Sequence, residues 1–156
     1  MQCLNLPRDV YALDVSARDT EWVVSRENVE FLRRGYKALE RGDLDAFRAL
    51  SRERLDPEFE FHHVWDGRVL KGYEGTMDWL ADTRETWKDY KQEVEEILDL
   101  GEHVVVVLGI SAQGAGSGVP VAQEFAVVWT FDDNTVVRAR SFTSRAEALE
   151  AAAAPE

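Results

Sequence analysis

Two adjacent histidines, His62 and His63, stand in the stretch FEFHHVWDG at residues 59–67 of a chain that has only three histidines. Imidazole titrates nearer neutral pH than any other ordinary side chain, so a histidine carried into an apolar setting is a ready proton acceptor or donor. The stretch alternates in the two-residue period of a strand. That places Phe59, Phe61, His63 and Trp65 on one face and Glu60, His62 and Val64 on the other. His63 is therefore the candidate base: on the apolar face, desolvation lowers its pKa and leaves a neutral imidazole able to accept a proton near pH 7. The alternative is a histidine bonded to a backbone carbonyl or to Tyr36 that only lines a pocket. Neighbouring strand residues diverge, so the two histidines cannot share one metal ion, and no spacing of His103 with Asp or Glu suggests another metal site. The glycine-rich GAGSG at 114–118 leads into valine, proline and a strand, with no helix and no lysine after it. It reads as a hairpin loop and not as a phosphate cradle. Neither metal nor cofactor is expected.

Further along, VAQEFAVVWTF at 121–131 puts Phe125, Val127 and Trp129 on one strand face. With Phe61, Trp65, Tyr36 and Trp87 these form either an aromatic cage for a flat or polycyclic ligand or plain core packing. Arg138 and Arg140 share a face with Val136 and Phe142. Turned inward, Arg140 would hold an enol, carboxylate or phenolate oxygen or pair with Glu124; turned outward, it is the solvated edge of the last strand.

These residues need elements to position them. Residues 1–24 show no clean period and read as an extension in which Trp22, Val23 and Val24 dock against the body. Ser25 caps a helix that carries Val29, Leu32, Tyr36 and Leu39 to about Arg41. Gly42 ends it, and Asp43 caps a second helix with Leu44, Phe47 and Leu50 on one side. Asp56-Pro57 closes that helix, because the residue before proline is pushed out of the α region. The histidine strand follows, and Asp66-Gly67 turns it into RVLKG. A third helix is expected from about Glu74 to Trp87, with RETWKDYKQEVEE as its solvated, charge-rich exit. The strands QEVEEILDL, HVVVVLGISA, VAQEFAVVWTF and TVVRARSFT complete the chain. Ser144 and Glu147 then form a capping box before an alanine-rich helix or tail. Helices first and a strand meander afterwards predict an α+β domain, a strongly curved, mainly antiparallel sheet wrapped around its N-terminal helices. The division expected is an extension at 1–24, one domain at 25–152 and a short tail at 153–156. The apolar runs of the central strands are nearly continuous, so both faces of the sheet centre are dry. One packs on the helices, and the other calls for a homodimer partner or for the N-terminal residues folding back.

Composition bounds the partners. The 156 residues are 45% hydrophobic, enough for one self-supporting core, and carry 18 Lys and Arg against 30 Asp and Glu for a net charge of -12. That field repels phosphate backbones and anionic lipid, so neither nucleic acid nor a membrane is expected as partner. No apolar run approaches the roughly 20 residues that span a bilayer. The N-terminal segment is interrupted by charge and is not a signal peptide. The single cysteine, Cys3, has no partner in the chain, which fits a reducing, cytoplasmic setting.

ENVEFLRRGYKALERGDLDAFRAL, DPEFEF, KGYEGTMDWL and FAVVWTFDDNTVVRARSFTSRAEALEA together resemble the SnoaL-like polyketide cyclase family, within the nuclear transport factor and ketosteroid isomerase superfamily. The likeness covers about residues 25 to 152. It implies a cone-shaped α+β barrel with a deep apolar pocket between sheet and helices, in a superfamily that hosts isomerases, cyclases, hydratases and non-catalytic binders. In the cyclases an aspartate of the last strand is the acid and base; here that stretch reads Arg140-Ser141. In the steroid isomerases a carboxylate closing the first strand is the base, and its position falls at or beside His63. The tyrosine of their oxyanion hole lies one residue out of register with Tyr36, and the aspartate falls near Val127. The resemblance thus implies either cofactor-free proton-transfer chemistry on a small apolar molecule, of isomerase, cyclase or lyase type, with His63 as base and Tyr36 or Arg140 steadying negative charge, or a non-catalytic small-molecule binder or dimeric scaffold of the same fold.

Overall fold

The computed structural model describes residues 8–64, 66–114 and 116–154, with side chains from residue 24 onward. It opens with a 34-residue helix, α1 (Arg8–Arg41). This helix starts well before Ser25. Residues 8–24, though without an amphipathic period, carry no proline or glycine, so nothing among them stops a helix. Ser25 is consequently inside α1 and not its cap, and its hydroxyl donates to Asp99 Oδ1 at 2.6 Å. The docking expected of Trp22 and Val23 falls outside the described side chains.

Gly42 ends α1 in the left-handed region at φ 73°, where glycine carries no Cβ penalty. Asp43 then caps α2 (Leu44–Arg54), its Oδ1 accepting from the Ala46 N–H at 3.1 Å. The remaining elements are β1 (Leu55–His63), β2 (Arg68–Lys71), α3 (Gly72–Thr86), β3 (Trp87–Asp99), β4 (His103–Gly114), β5 (Pro120–Asp132), β6 (Thr135–Phe142) and α4 (Arg145–Ala153). Two boundaries differ from expectation. α3 stops at Thr86, so Trp87 belongs to β3, and from there on the charge-rich segment read as a helix exit is strand, bulged between Lys88 and Lys91 beside Asp89 at φ 53°.

The six strands form one open sheet in the order β2-β1-β6-β5-β4-β3. All neighbours are antiparallel except β1 and β6, which run parallel. Register fixes which side chains share a face. His63 pairs with Ser141, Ser141 with Val127 and Val127 with Val106, all on the concave side. His62, Arg140, Val128 and Val105 make the adjacent row on the convex side. The main core joins Phe31, Leu32, Tyr36, Leu50, Phe59, Val104, Val106 and Val127 between the concave face and the first two helices. At its end the buried Asn28 donates to the Asp133 carbonyl at 2.9 Å, and Arg54 donates to the Asn134 carbonyl at 3.2 Å, so the β5–β6 turn is tied to α1 and α2.

The convex face is covered from within the chain. Ser144 caps α4 by accepting from the Glu147 N–H at 3.2 Å, and the helix lays Ala148, Leu149 and Ala152 over Val105, Val107, Ala126 and Val128. Ala148 is 0% exposed. The dryness of Val105, Val107, Ala126 and Val128 therefore does not by itself require a second copy of the chain.

Candidate functional site

Between the concave face and the helices lies a cavity of about 490 Å³. Leu32, Tyr36 and Leu39 of α1, Phe47 and Leu50 of α2, and Thr76, Trp79 and Thr83 of α3 line it from the helical side. Small-molecule sites fall in this range of volume, with apolar walls and a few convergent polar groups. Of the residues singled out in the sequence, His63, Tyr36, Phe61, Trp87, Phe125, Val127 and Trp129 all line this one chamber. Trp65 lies outside the described residues. Arg140 does not line it: the register places Arg140 on the convex face, opposite Val128 and beside His62. The inward reading of Arg140 is therefore corrected by the parity of β6, whose odd positions Ala139 and Ser141 face the cavity side.

His63 closes β1 and is 4% exposed. Its ring sits edge-on to Phe61 at 5.0 Å and to Trp79 at 5.9 Å between centroids. Burial pulls its imidazole below the ordinary histidine value; the Asp66 carboxylate opposes that shift and Arg68 adds to it. The result is a neutral ring at pH 7 with room for a reactant beside it. His62, one residue away, bonds Glu60 Oε1 at 2.9 Å on the convex side.

Tyr36 reaches the cavity from α1. The Trp129 indole N–H donates to its oxygen at 3.0 Å, and the two rings meet edge to face at 6.2 Å. Burial holds the Tyr36 phenol far above its usual range, opposed by the Trp129 bond and reinforced by Tyr90. A phenol that stays protonated is a hydrogen-bond donor, and with its oxygen already accepting from Trp129 the hydroxyl hydrogen is available to an oxygen in the cavity.

Sequence reasoning missed several lining residues. Tyr90 and Gln92 face inward from β3, the Tyr90 hydroxyl donating to Gln92 Oε1 at 2.9 Å, and burial pushes the Tyr90 phenol up to about 12. The two-residue spacing of Tyr90, Gln92 and Val94 is a strand signal, hidden by the bulge before it. Trp79 and Thr83 lie four residues apart on α3, the spacing of one helical face. Arg68 of β2 and Ser141 of β6 also line the chamber. Among the described residues no three His, Cys, Asp or Glu side chains converge as a metal site, and no helix is long and apolar enough to cross a membrane.

An open, curved sheet closing over helices around an apolar chamber defines the NTF2-like class of small α+β domains. Residues 32–139 match the SnoaL-like domain, more than half of the chain, and the protein belongs to that family. Similar solved structures include a candidate SnoaL-like polyketide cyclase from Jannaschia sp. CCS1, 25% identical, covering 84% of this chain and 94% of that one at a TM-score of 0.65. An NTF2-like protein of unknown function from Burkholderia pseudomallei K96243 is 20% identical, covering 81% and 98% at a TM-score of 0.63. TerC co-crystallised with polyporic acid is 19% identical, covering 79% and 95% at a TM-score of 0.63. No curated protein matches the chain.

Proposed function

We propose that this protein binds a small, flat, largely apolar molecule in the chamber and catalyses cofactor-independent proton transfer on it, of isomerase, cyclase or lyase type. The observation that carries the reading is one chamber holding both a buried, neutral imidazole and a phenol kept protonated by burial. In the step this supports, the His63 ring takes a proton from a carbon next to a carbonyl. The C–H electron pair becomes the C=C of the enol(ate), the carbonyl oxygen gains the negative charge, and the Tyr36 hydroxyl donates to that oxygen. The imidazolium then returns the proton to the same or another carbon, so the net reaction needs no outside oxidant or reductant. The aromatic walls, Phe61, Trp87, Phe125 and Trp129 among them, suit a ring system. Membership of a family related to polyketide cyclases is consistent with such a ligand.

The test uses 2-tetralone, a two-ring ketone with acidic C–H bonds, in deuterated buffer. Binding is read from the fluorescence of the lining tryptophans, with polyporic acid as a second binding probe, and proton transfer from deuterium incorporation. Wild type is expected to bind and to accelerate exchange. H63A is expected to bind and to lose the acceleration, and Y36F to slow it. Acceleration that survives in H63A overturns the assignment of the base, and failure of both probes to bind overturns the ligand class.

A further inference from the structure

We infer that Asp66 is the positioning residue of His63: anchored in the β1–β2 turn by Arg68, its carboxylate holds the imidazole with Nδ1 toward the turn and Nε2 toward the cavity. This rests on His63 being the base proposed above.

The geometry begins with the turn itself. His63 and Arg68 are the last cross-strand pair of β1 and β2, and the His63 carbonyl accepts from the Gly67 N–H at 2.8 Å, with Gly67 at φ 79°. That closure brings the Asp66 side chain back over the pair. Its Oδ1 accepts from the Arg68 backbone N–H at 3.0 Å, and its Oδ2 lies 3.4 Å from Arg68 Nε. Both oxygens thus have a partner in Arg68, which favours this placement of the carboxylate. Oδ1 then stands 3.9 Å from His63 Nδ1. This is longer than a hydrogen bond, and sites of this kind commonly close such gaps only when the reactant is bound.

A carboxylate facing one ring nitrogen selects the tautomer that carries its hydrogen there, leaving the other nitrogen's lone pair for chemistry. It also steadies the imidazolium once the proton has arrived. Of the described groups that face His63 from each packed element, Asp66 is the anion. Arg68 from β2 is the cation, Trp79 from α3 and Phe61 from β1 are uncharged, and Ser141 is the register partner from β6. Glu60 and His62 belong to the other face.

A purely local role is the competing account, because the Arg68 N–H contact alone would make Asp66 a turn-forming residue. D66N separates the two: asparagine keeps the turn acceptor and removes the charge. With three histidines in the chain, long-range proton–nitrogen correlation NMR resolves each ring, and H62Q assigns the neighbour. Wild-type His63 is expected as the Nδ1–H tautomer with a midpoint below 6.5. D66N is expected to drop that midpoint by a further ~0.5 unit or more, since it removes an opposite charge 3.9 Å from Nδ1 that favours the imidazolium. D66E is expected to restore part of the shift. A His63 midpoint that D66N leaves in place overturns the inference, and so does an Nε2–H tautomer in the wild type, which is readable even if D66N fails to fold. If D66N moves the midpoint while 2-tetralone exchange ignores His63, the base assignment falls and the coupling stands.

Discussion

The two faces of β4 are built from the same material and do opposite things. Val104, Val106 and Leu108 face the concave side, Val105 and Val107 the convex side, and all five are buried. On the convex side α4 packs Ala148, Leu149 and Ala152 against the sheet, because a side chain of one methyl lets the helix approach closely. On the concave side the helices bring larger residues that pack on part of the sheet, and strand residues from Leu108 to Trp129 are left lining a chamber. Burial of the strand therefore does not mark the site. What stands opposite the strand decides whether a row of valines is filler or a binding surface.

The largest test of this difference sits at the histidine pair. H63A is expected to lower proton-transfer rates by about 10²- to 10⁴-fold, the usual contribution of a positioned base. H62A, one residue away on the other face, is expected to leave them unchanged. Deuterium incorporation into 2-tetralone reads both, and equal losses would erase the distinction between the faces. Next comes a pair of neighbours on β5. V128F forces a ring into the packed seam under α4 and is expected to cost about 1–3 kcal/mol in chemical denaturation, the range for overpacking. V127F sends the same ring into open space, so its cost is expected to be smaller while fluorescence-detected binding of either probe is blocked. Comparable destabilisation by both substitutions would mean that the chamber is narrower in solution than its 490 Å³.

The sequence carried the parity of the strands well, because alternation is a local property of a pleated backbone. His63 and His62, Phe125, Val127 and Trp129 fall on the sides their spacing gives them. Arg140 shows the limit. Alternation states that Arg138 and Arg140 share a face but not which one, and only pairing with β1 and β5 decides that. The convex face shows a similar limit. A dry strand centre demands a cover, and whether the cover is another copy or nine residues of alanine-rich helix is a question of tertiary path. Tyr90 and Gln92 were hidden by one bulge, which shifts the period by a residue and makes a strand resemble a charged helix end. The start of α1 was missed because residues 8–24 show no amphipathic period, and periodicity is the signal by which a helix is read.

A smaller effect comes from His63 as a titrating group. Its folded midpoint lies below 6.5 while that of the unfolded chain is ordinary, so between those values the unfolded chain binds more protons. Stability contributed at this position is thus complete above 6.5 and is lost as pH falls through the window, with a slope of at most about 1.4 kcal/mol per pH unit. Denaturation curves of wild type and H63Q across that window are expected to differ by this slope, since His62 and His103 are present in both. Parallel curves would mean that the concave face is wet at His63.

The smallest expected effect is at the convex edge. Arg145 of α4 grips Glu96 of β3 through two contacts, Nε to Oε1 at 2.8 Å and Nη2 to Oε2 at 3.1 Å. The bond to Arg145 holds the Glu96 carboxyl below its usual range, and the same pairing raises the guanidinium. Yet both groups stand in water, where long side chains must be ordered to meet and salt screens the attraction. R145Q is accordingly expected to leave the melting midpoint nearly unchanged, and hydrogen exchange in α4 to remain slow, because Ala148, Leu149 and Ala152 hold the helix by packing. Fast exchange throughout α4 in R145Q, reproduced in the wild type by high salt, would reverse the lesson: the covered face would then depend on a surface charge pair, and the packed alanines would be its passengers.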